Sequence, residues 1–201
     1  MSAEQRRSPR QERSTERVET ILAATRELLQ QQPESVVTIR AIADRAGTSP
    51  ASVYRYFDDL DQVVDALVME HSDIATNAVA GALTSSRHTR VSGVFVLVAR
   101  TYLDLYERRP ELTLAWRSAT MARRQQAIEE ASDEGLARML AAHLRRRGLI
   151  DELTPQIESQ LAADWTVAGT LLGLVLRAAP ERRGDRVADL EALVRWFASR
   201  Y

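Results

Sequence analysis

The chain contains no cysteine, which excludes disulfides, thiolate metal sites and a cysteine nucleophile together and suits a reducing cytoplasm. Lysine is missing as well and Asn77 is the single asparagine, so an arginine standing in place of a lysine carries no information here. There are only 8 glycines, 6 prolines and 5% aromatics, which leaves few breakers of regular structure. The longest uncharged apolar run, Trp165 to Leu176, spans 12 residues, short of the roughly 20 needed to cross a bilayer. The opening MSAEQRRSPRQERS has no apolar core, so neither a secretory signal nor a membrane partner is expected, and the expected location is cytoplasmic.

What is present is rich in Ala, Leu, Arg and Glu, with 45% hydrophobic residues in 201, enough for a packed all-α protein. The net charge of −1 divides unevenly. Residues 1–57 hold 9 Arg against 7 acids (+2), and residues 58–201 hold 18 Arg against 21 acids (−3). The front is mildly basic and the back mildly acidic.

Apolar residues at helical spacing predict about nine helices. The first covers about residues 15–31, and later ones cover about 58–83, 89–108, 110–118, 121–147, 154–178 and 185–200. Gly148, Pro155, Pro180 and Gly184 read as boundaries of the last three. VSGVFVLVA (91–99) is apolar on every side and predicts a helix through the middle of its domain. Asp58, Asp59 and Asp61 stand at a helix start, where exposed amides favour acids, so capping is the expectation rather than a metal site.

Between the first and fourth helices lies TIRAIADRAGTSPASVYRYF (38–57). Thr38 suits an N-cap, and Ile39, Ile42, Ala43 and Ala46 give a short helix a buried side. Gly47 tolerates the left-handed conformation that ends a helix. Ser49 caps again, and Pro50 fits a first helical position, where its missing N–H costs nothing. The second helix turns Val53, Tyr56 and Phe57 inward and leaves Ala51, Ser52, Tyr54 and Arg55 outside. Two short helices with a tight glycine turn form a helix-turn-helix, whose second helix reads DNA. A purely structural helical hairpin is the alternative.

VTIRAIADRAGTSPASVYRYFDDLDQVV (37–64) resembles the DNA-binding signature of the tetracycline-repressor-like (TetR) transcriptional regulators, over about residues 14–65. Three positions depart from the pattern: Thr48 where an apolar residue is usual, Ala51 where glycine is frequent, and Leu60 where a phosphate-touching lysine is common. The resemblance implies a flexible basic arm (1–13), a DNA-binding domain (14–57) and an effector-binding and dimerisation domain (58–201). It also implies a homodimeric regulator, most often a repressor, that binds palindromic operator DNA and is released by a small effector.

A two-turn helix is roughly 10 Å long, enough to set one group of side chains into a major groove. Pro50, Ala51 and Ser52 lie at its leading end, for thymine methyls or a hydroxyl contact. Thr38, Arg40, Ser49 and Tyr54 suit phosphates. Arg55 suits either, or stays a solvated charge. Arg6, Arg7, Arg10 and Arg13 would follow phosphates or a minor groove.

Small and apolar residues on the last two long helices are candidates for a two-fold interface: Leu161, Ala168, Gly169, Leu172, Leu190, Leu193, Val194 and Phe197. Burial within one subunit is the alternative. Candidates for a ligand pocket are Phe95, Tyr102, Trp116, Met139 and Trp165, with Met121 beside them and His71 and His143 on apolar stripes. Planar, hydrophobic effectors, cationic ones included, would suit such a lining. No enzyme is expected, because His71, His88 and His143 share no metal spacing and no phosphate loop or Ser, His and Asp arrangement is present. No cofactor or metal is expected either. The remaining competitor is a DNA-binding dimer without any effector.

Overall fold

A computed structural model of the chain describes residues 9–31, 37–110, 112 and 134–201. Among them are eight helices: α1 (Pro9–Gln31), α2 (Ile39–Arg45), α3 (Pro50–Tyr54), α4 (Leu60–Ser85), α5 (Val91–Arg108), α6 (described over 134–146), α7 (Pro155–Leu176) and α8 (Pro180–Ala198). The fold is all-α and no strand occurs among the described residues. The predicted helix over 110–118 lies almost entirely outside the described residues, as does the first half of the one over 121–147.

Two helices begin earlier than their sequence patterns suggest. α1 is already helical at Pro9, the first described residue, rather than from 15, so the last residues of the expected arm are helical. α8 starts at Pro180 rather than 185 and runs through Gly184. In α8 proline occupies the first turn, where a fixed φ favours a helix and no N–H is needed.

The chain divides into two compact units at Val68/Met69. The division falls inside α4 rather than at 57/58, because Val63, Val64, Leu67 and Val68 are buried with the first unit. That unit closes over Ile21, Leu28, Ile39, Ile42, Val53 and Phe57. Arg45 in α2 ties back to α1 through Glu27 Oε2 at 3.0 Å and Gln31 Oε1 at 2.9 Å.

In the second unit α5 packs on α7 and α8. Phe95, Val98, Leu161, Val175, Leu190 and Val194 are among its most deeply buried residues. At the surface beside this core Arg100 of α5 donates to Glu191 of α8 at 2.7 Å, and Arg195 donates to the other oxygen at 3.0 Å. The hydrogen bond from Arg100 comes first among the causes that hold the Glu191 carboxyl below its usual range. α7 has the length of a membrane span, with a mean hydropathy of 1.2 in its most apolar stretch. It packs on neighbours around a buried carboxylate, Asp164, as a core helix does.

Candidate functional site

The caps and the turn in 38–57 fold as their residues predict, but α3 closes at Tyr54 after five residues rather than two turns, and Tyr56 beyond it is half-buried. Thr38 is extended and its hydroxyl oxygen accepts from the Ala41 N–H at 3.2 Å. Gly47 sits at φ 60°. Around it the Thr48 N–H reaches the Ala43 carbonyl at 2.9 Å and the Gly47 N–H reaches Asp44 at 3.3 Å, the paired bonds of a Schellman turn. Ser49 Oγ then accepts from the Ser52 N–H at 3.2 Å and Pro50 opens α3. Ala43 and Val53 are fully buried.

This arrangement decides which side chains face out. Thr38, Arg40, Ser49, Pro50, Ala51, Tyr54 and Arg55 are exposed, and Ser52 is half-buried. Tyr54 is 54% exposed although aromatic. Arg55 lies over the Tyr56 ring at 5.4 Å, which holds its guanidinium against the surface. The two capping hydroxyls receive backbone hydrogens on their oxygens, so each keeps its own O–H to donate. A phosphate, which only accepts, is a matching partner. Of the N-terminal arginines, Arg13 is exposed, Arg6 and Arg7 lie outside the described residues, and Arg10 has only its backbone described.

The carboxylates that follow are engaged locally. Asp59 Oδ1 accepts from the Gln62 N–H at 2.8 Å, while the Gln62 side chain bonds both the Asp58 N–H at 3.0 Å and the Asp58 carboxylate at 2.9 Å. These are capping bonds.

The pocket candidates fall into two groups. His71 Nε2 meets Tyr106 Oη at 2.7 Å, ring edge to face, and Tyr106 stacks on Tyr102 at 6.3 Å. Burial drives the His71 pKa down to about 4, so this pair is neutral. Phe95 and Trp165 form a second group, with ring centroids 5.7 Å apart, and Tyr201 adjoins Phe95 at 5.8 Å. Met139 and His143 lie one turn apart on α6, half-buried and buried respectively. The His143 pKa is also lowered, first by burial and then by Arg146 and Arg147. Among the described residues, the buried atoms His143 Nε2, Trp165 Nε1 and Arg183 Nε have no hydrogen-bond partner. Trp116 and Met121 lie outside the described residues.

Sequence reasoning missed Tyr106, Tyr201 and Asp164. Tyr106 had a signal, since it follows Tyr102 by one helical turn. Asp164 had one too, as a carboxylate entering an apolar run. Its buried oxygens accept from Gln160 at 3.1 Å, from Arg200, and from the Tyr201 hydroxyl at 2.8 Å. Tyr201 had none, because its partners are remote in sequence.

Most of the expected subunit-interface residues lie in the chain's own core, the alternative given for them. Leu161, Ala168, Leu172, Leu190, Val194 and Phe197 are buried within one copy of the chain, where they close the core between α5, α7 and α8, and Gly169 and Leu193 are half-buried. The strongest apolar stripe of each helix faces its own core. The outward faces carry Val167 and Leu174, two turns apart on α7, and Trp196 on α8, at 52%, 44% and 58% exposure.

Residues 21–67 match the family model of the bacterial regulatory proteins of the tetR family. No curated protein matches the chain in sequence. Among solved structures, a TetR-family transcriptional regulator from Streptomyces coelicolor is 23% identical, with 92% of this chain and 98% of that one covered at a TM-score of 0.73. The fatty acid degradation regulator FadR from Bacillus halodurans is 14% identical over 96% and 97% at 0.67. SmeT, the repressor of the Stenotrophomonas maltophilia multidrug efflux pump SmeDEF, is 19% identical over 92% and 89% at 0.64. The fold is therefore TetR-like along nearly the whole chain, and the resemblance in its sequence is borne out.

Proposed function

We propose that this chain, with the DNA-binding helix-turn-helix of the tetR family at residues 21–67, is a ligand-responsive repressor that binds palindromic operator DNA as a homodimer. The observation that carries the reading is the exposed strip Pro50, Ala51, Tyr54 and Arg55, standing on buried Val53 just after the Gly47 turn. Pro50 and Ala51 offer apolar contact to thymine methyls, and Arg55 reaches a base edge or a phosphate. Thr38, Ser49, Arg40 and Tyr54 bind the flanking phosphates. FadR, a fatty acid degradation regulator, and SmeT, a repressor, are similar in fold and agree with this role.

Two readers are needed for two half-sites about 34–36 Å, or a multiple of that, apart. The outward residues Val167, Leu174 and Trp196 supply the mating face on α7 and α8. A small, largely apolar effector binds inside the second unit and favours a conformer unable to span both half-sites, since only differential affinity shifts such an equilibrium.

Genomic fragments retained by the purified protein should share an inverted repeat. Arg40→Ala with Tyr54→Ala should weaken binding to that repeat more than tenfold, with helicity and native mass unchanged. Unaltered affinity removes the DNA assignment. Failure of every compound tested to release the operator would favour a DNA-binding dimer without an effector.

A further inference from the structure

A cleft of about 410 Å³ opens between the loop after α6, the first turns of α7 and the residues that follow α8, all within the second unit. Clefts that hold small organic molecules run from roughly 300 to 1,000 Å³. The apolar wall of this one is Ile150, Ile157 and the ring of Tyr201. The polar groups around that wall are unevenly engaged.

Its strong donors are spent. Arg200 and Tyr201 both turn to Asp164, a buried carboxylate outside the lining: Arg200 bonds one oxygen and the Tyr201 hydroxyl donates to the other at 2.8 Å. The Arg200 guanidinium also lies over the Trp196 and Phe197 rings at 4.8 and 4.9 Å, and its charge is matched by Asp164. Gln160 gives an amide hydrogen to the same carboxylate at 3.1 Å, which leaves its carbonyl oxygen to accept.

The acceptors are unspent. Asp151 and Glu152 line the cleft, both exposed, and neither has a hydrogen bond or ion pair among the described residues. Acids gather ahead of helices to meet the open amides there. On α7 Thr154 fills that role, its hydroxyl oxygen accepting from the Ile157 N–H at 3.3 Å. The lining therefore holds two uncompensated negative charges and a free carbonyl oxygen beside an apolar wall.

We infer that this cleft binds an amphipathic organic amine, whose apolar body lies on Ile150, Ile157 and Tyr201 while its protonated nitrogen donates among Asp151, Glu152 and the Gln160 carbonyl. An ammonium group only donates, and so complements a lining whose acceptors are free and whose donors are taken. The carboxylates are exposed, so each contributes modestly and is screened by salt. The apolar body supplies most of the affinity and the charge supplies the selection. The site stands apart from the DNA and effector readings, because binding here requires neither an operator nor its release.

The test uses the full chain and dansylcadaverine, a fluorescent naphthalene carrying a primary amine, against its neutral N-acetyl derivative and its quaternary trimethyl derivative. At neutral pH and low salt dansylcadaverine should bind about fivefold more tightly than the N-acetyl form and several-fold more tightly than the quaternary form, which has the charge but no N–H. The preference over the N-acetyl form should shrink as salt is raised. Asp151→Asn with Glu152→Gln should abolish that preference with helicity and urea midpoint unchanged, whereas Glu181→Gln with Asp185→Asn, at exposed carboxylates of α8, should leave it intact. Absence of dansylcadaverine binding, a preference that survives the first pair, or one lost equally with the second pair would overturn the inference. Equal affinity for the quaternary form would overturn the role given to the free acceptors.

Discussion

The Thr48 amide is bonded to the Ala43 carbonyl at 2.9 Å across Gly47, and this bond sets the angle at which α3 leaves α2. The turn between the two helices depends on one residue with positive φ.

Gly47→Ala should therefore destabilise the first unit by about 1–2 kcal/mol from backbone strain alone, since a Cβ there would meet nothing within 4 Å. Gly47→Asn should cost less, because asparagine tolerates this conformation. Urea unfolding of both variants checks the order. Equal stability of Gly47→Ala and the wild type would show that the turn relaxes elsewhere.

Ser49 allows folding and recognition to be separated. Ser49→Ala removes both the cap, worth about 1 kcal/mol, and the hydrogen offered to a phosphate. Ser49→Asp keeps an acceptor for the Ser52 N–H but points a negative charge outward. Circular dichroism should show an unchanged Ser49→Asp protein, and a gel-shift titration should show at least tenfold weaker operator binding. Retained affinity would place Ser49 away from the phosphates.

His71 should make stability depend on pH. Burial holds its folded pKa at about 4, whereas an unfolded histidine titrates near 6.5. The folded ring thus stays neutral where the unfolded one takes up a proton. Its contribution is fully present above pH 6.5 and is lost as the pH falls toward 4, on the order of 3 kcal/mol. His143 acts in the same direction. His71→Gln should flatten the fall in unfolding free energy between pH 6.5 and 4.5, and an unchanged slope would contradict the assignment.

The mating face can be told from the core by two substitutions on the same helix pair. Leu174→Arg, at a site 44% exposed, should shift the native mass to that of one copy without lowering helicity. Leu190→Ala, at a site 1% exposed, should instead cost about 2–5 kcal/mol of stability through a cavity. If Leu174→Arg leaves the mass unchanged, another surface joins the copies.

Local signals were the legible ones. Caps, a turn glycine and an N1 proline act within four residues, and so 38–57 could be read residue by residue. The same grammar was overlooked at Pro180, where proline opens a helix that the apolar pattern announces only later. On α7 and α8 the apolar stripe was visible, but periodicity cannot say whether a stripe faces the chain's own core or a second copy. Leu172 and Leu190 face the core, and the outward Val167, Leu174 and Trp196 are too sparse to form a pattern. The grouping of Asp164 with Arg200 and Tyr201 joins residues 36 and 37 positions apart, beyond any local signal.

Trp196 stands more than half in water, with the Arg200 guanidinium 4.8 Å above its ring. An indole so placed emits at long wavelength until something dry covers it. If the outward face of α8 is where copies meet, serial dilution would shift that emission to the red, and the protein would report its own dissociation constant without a label.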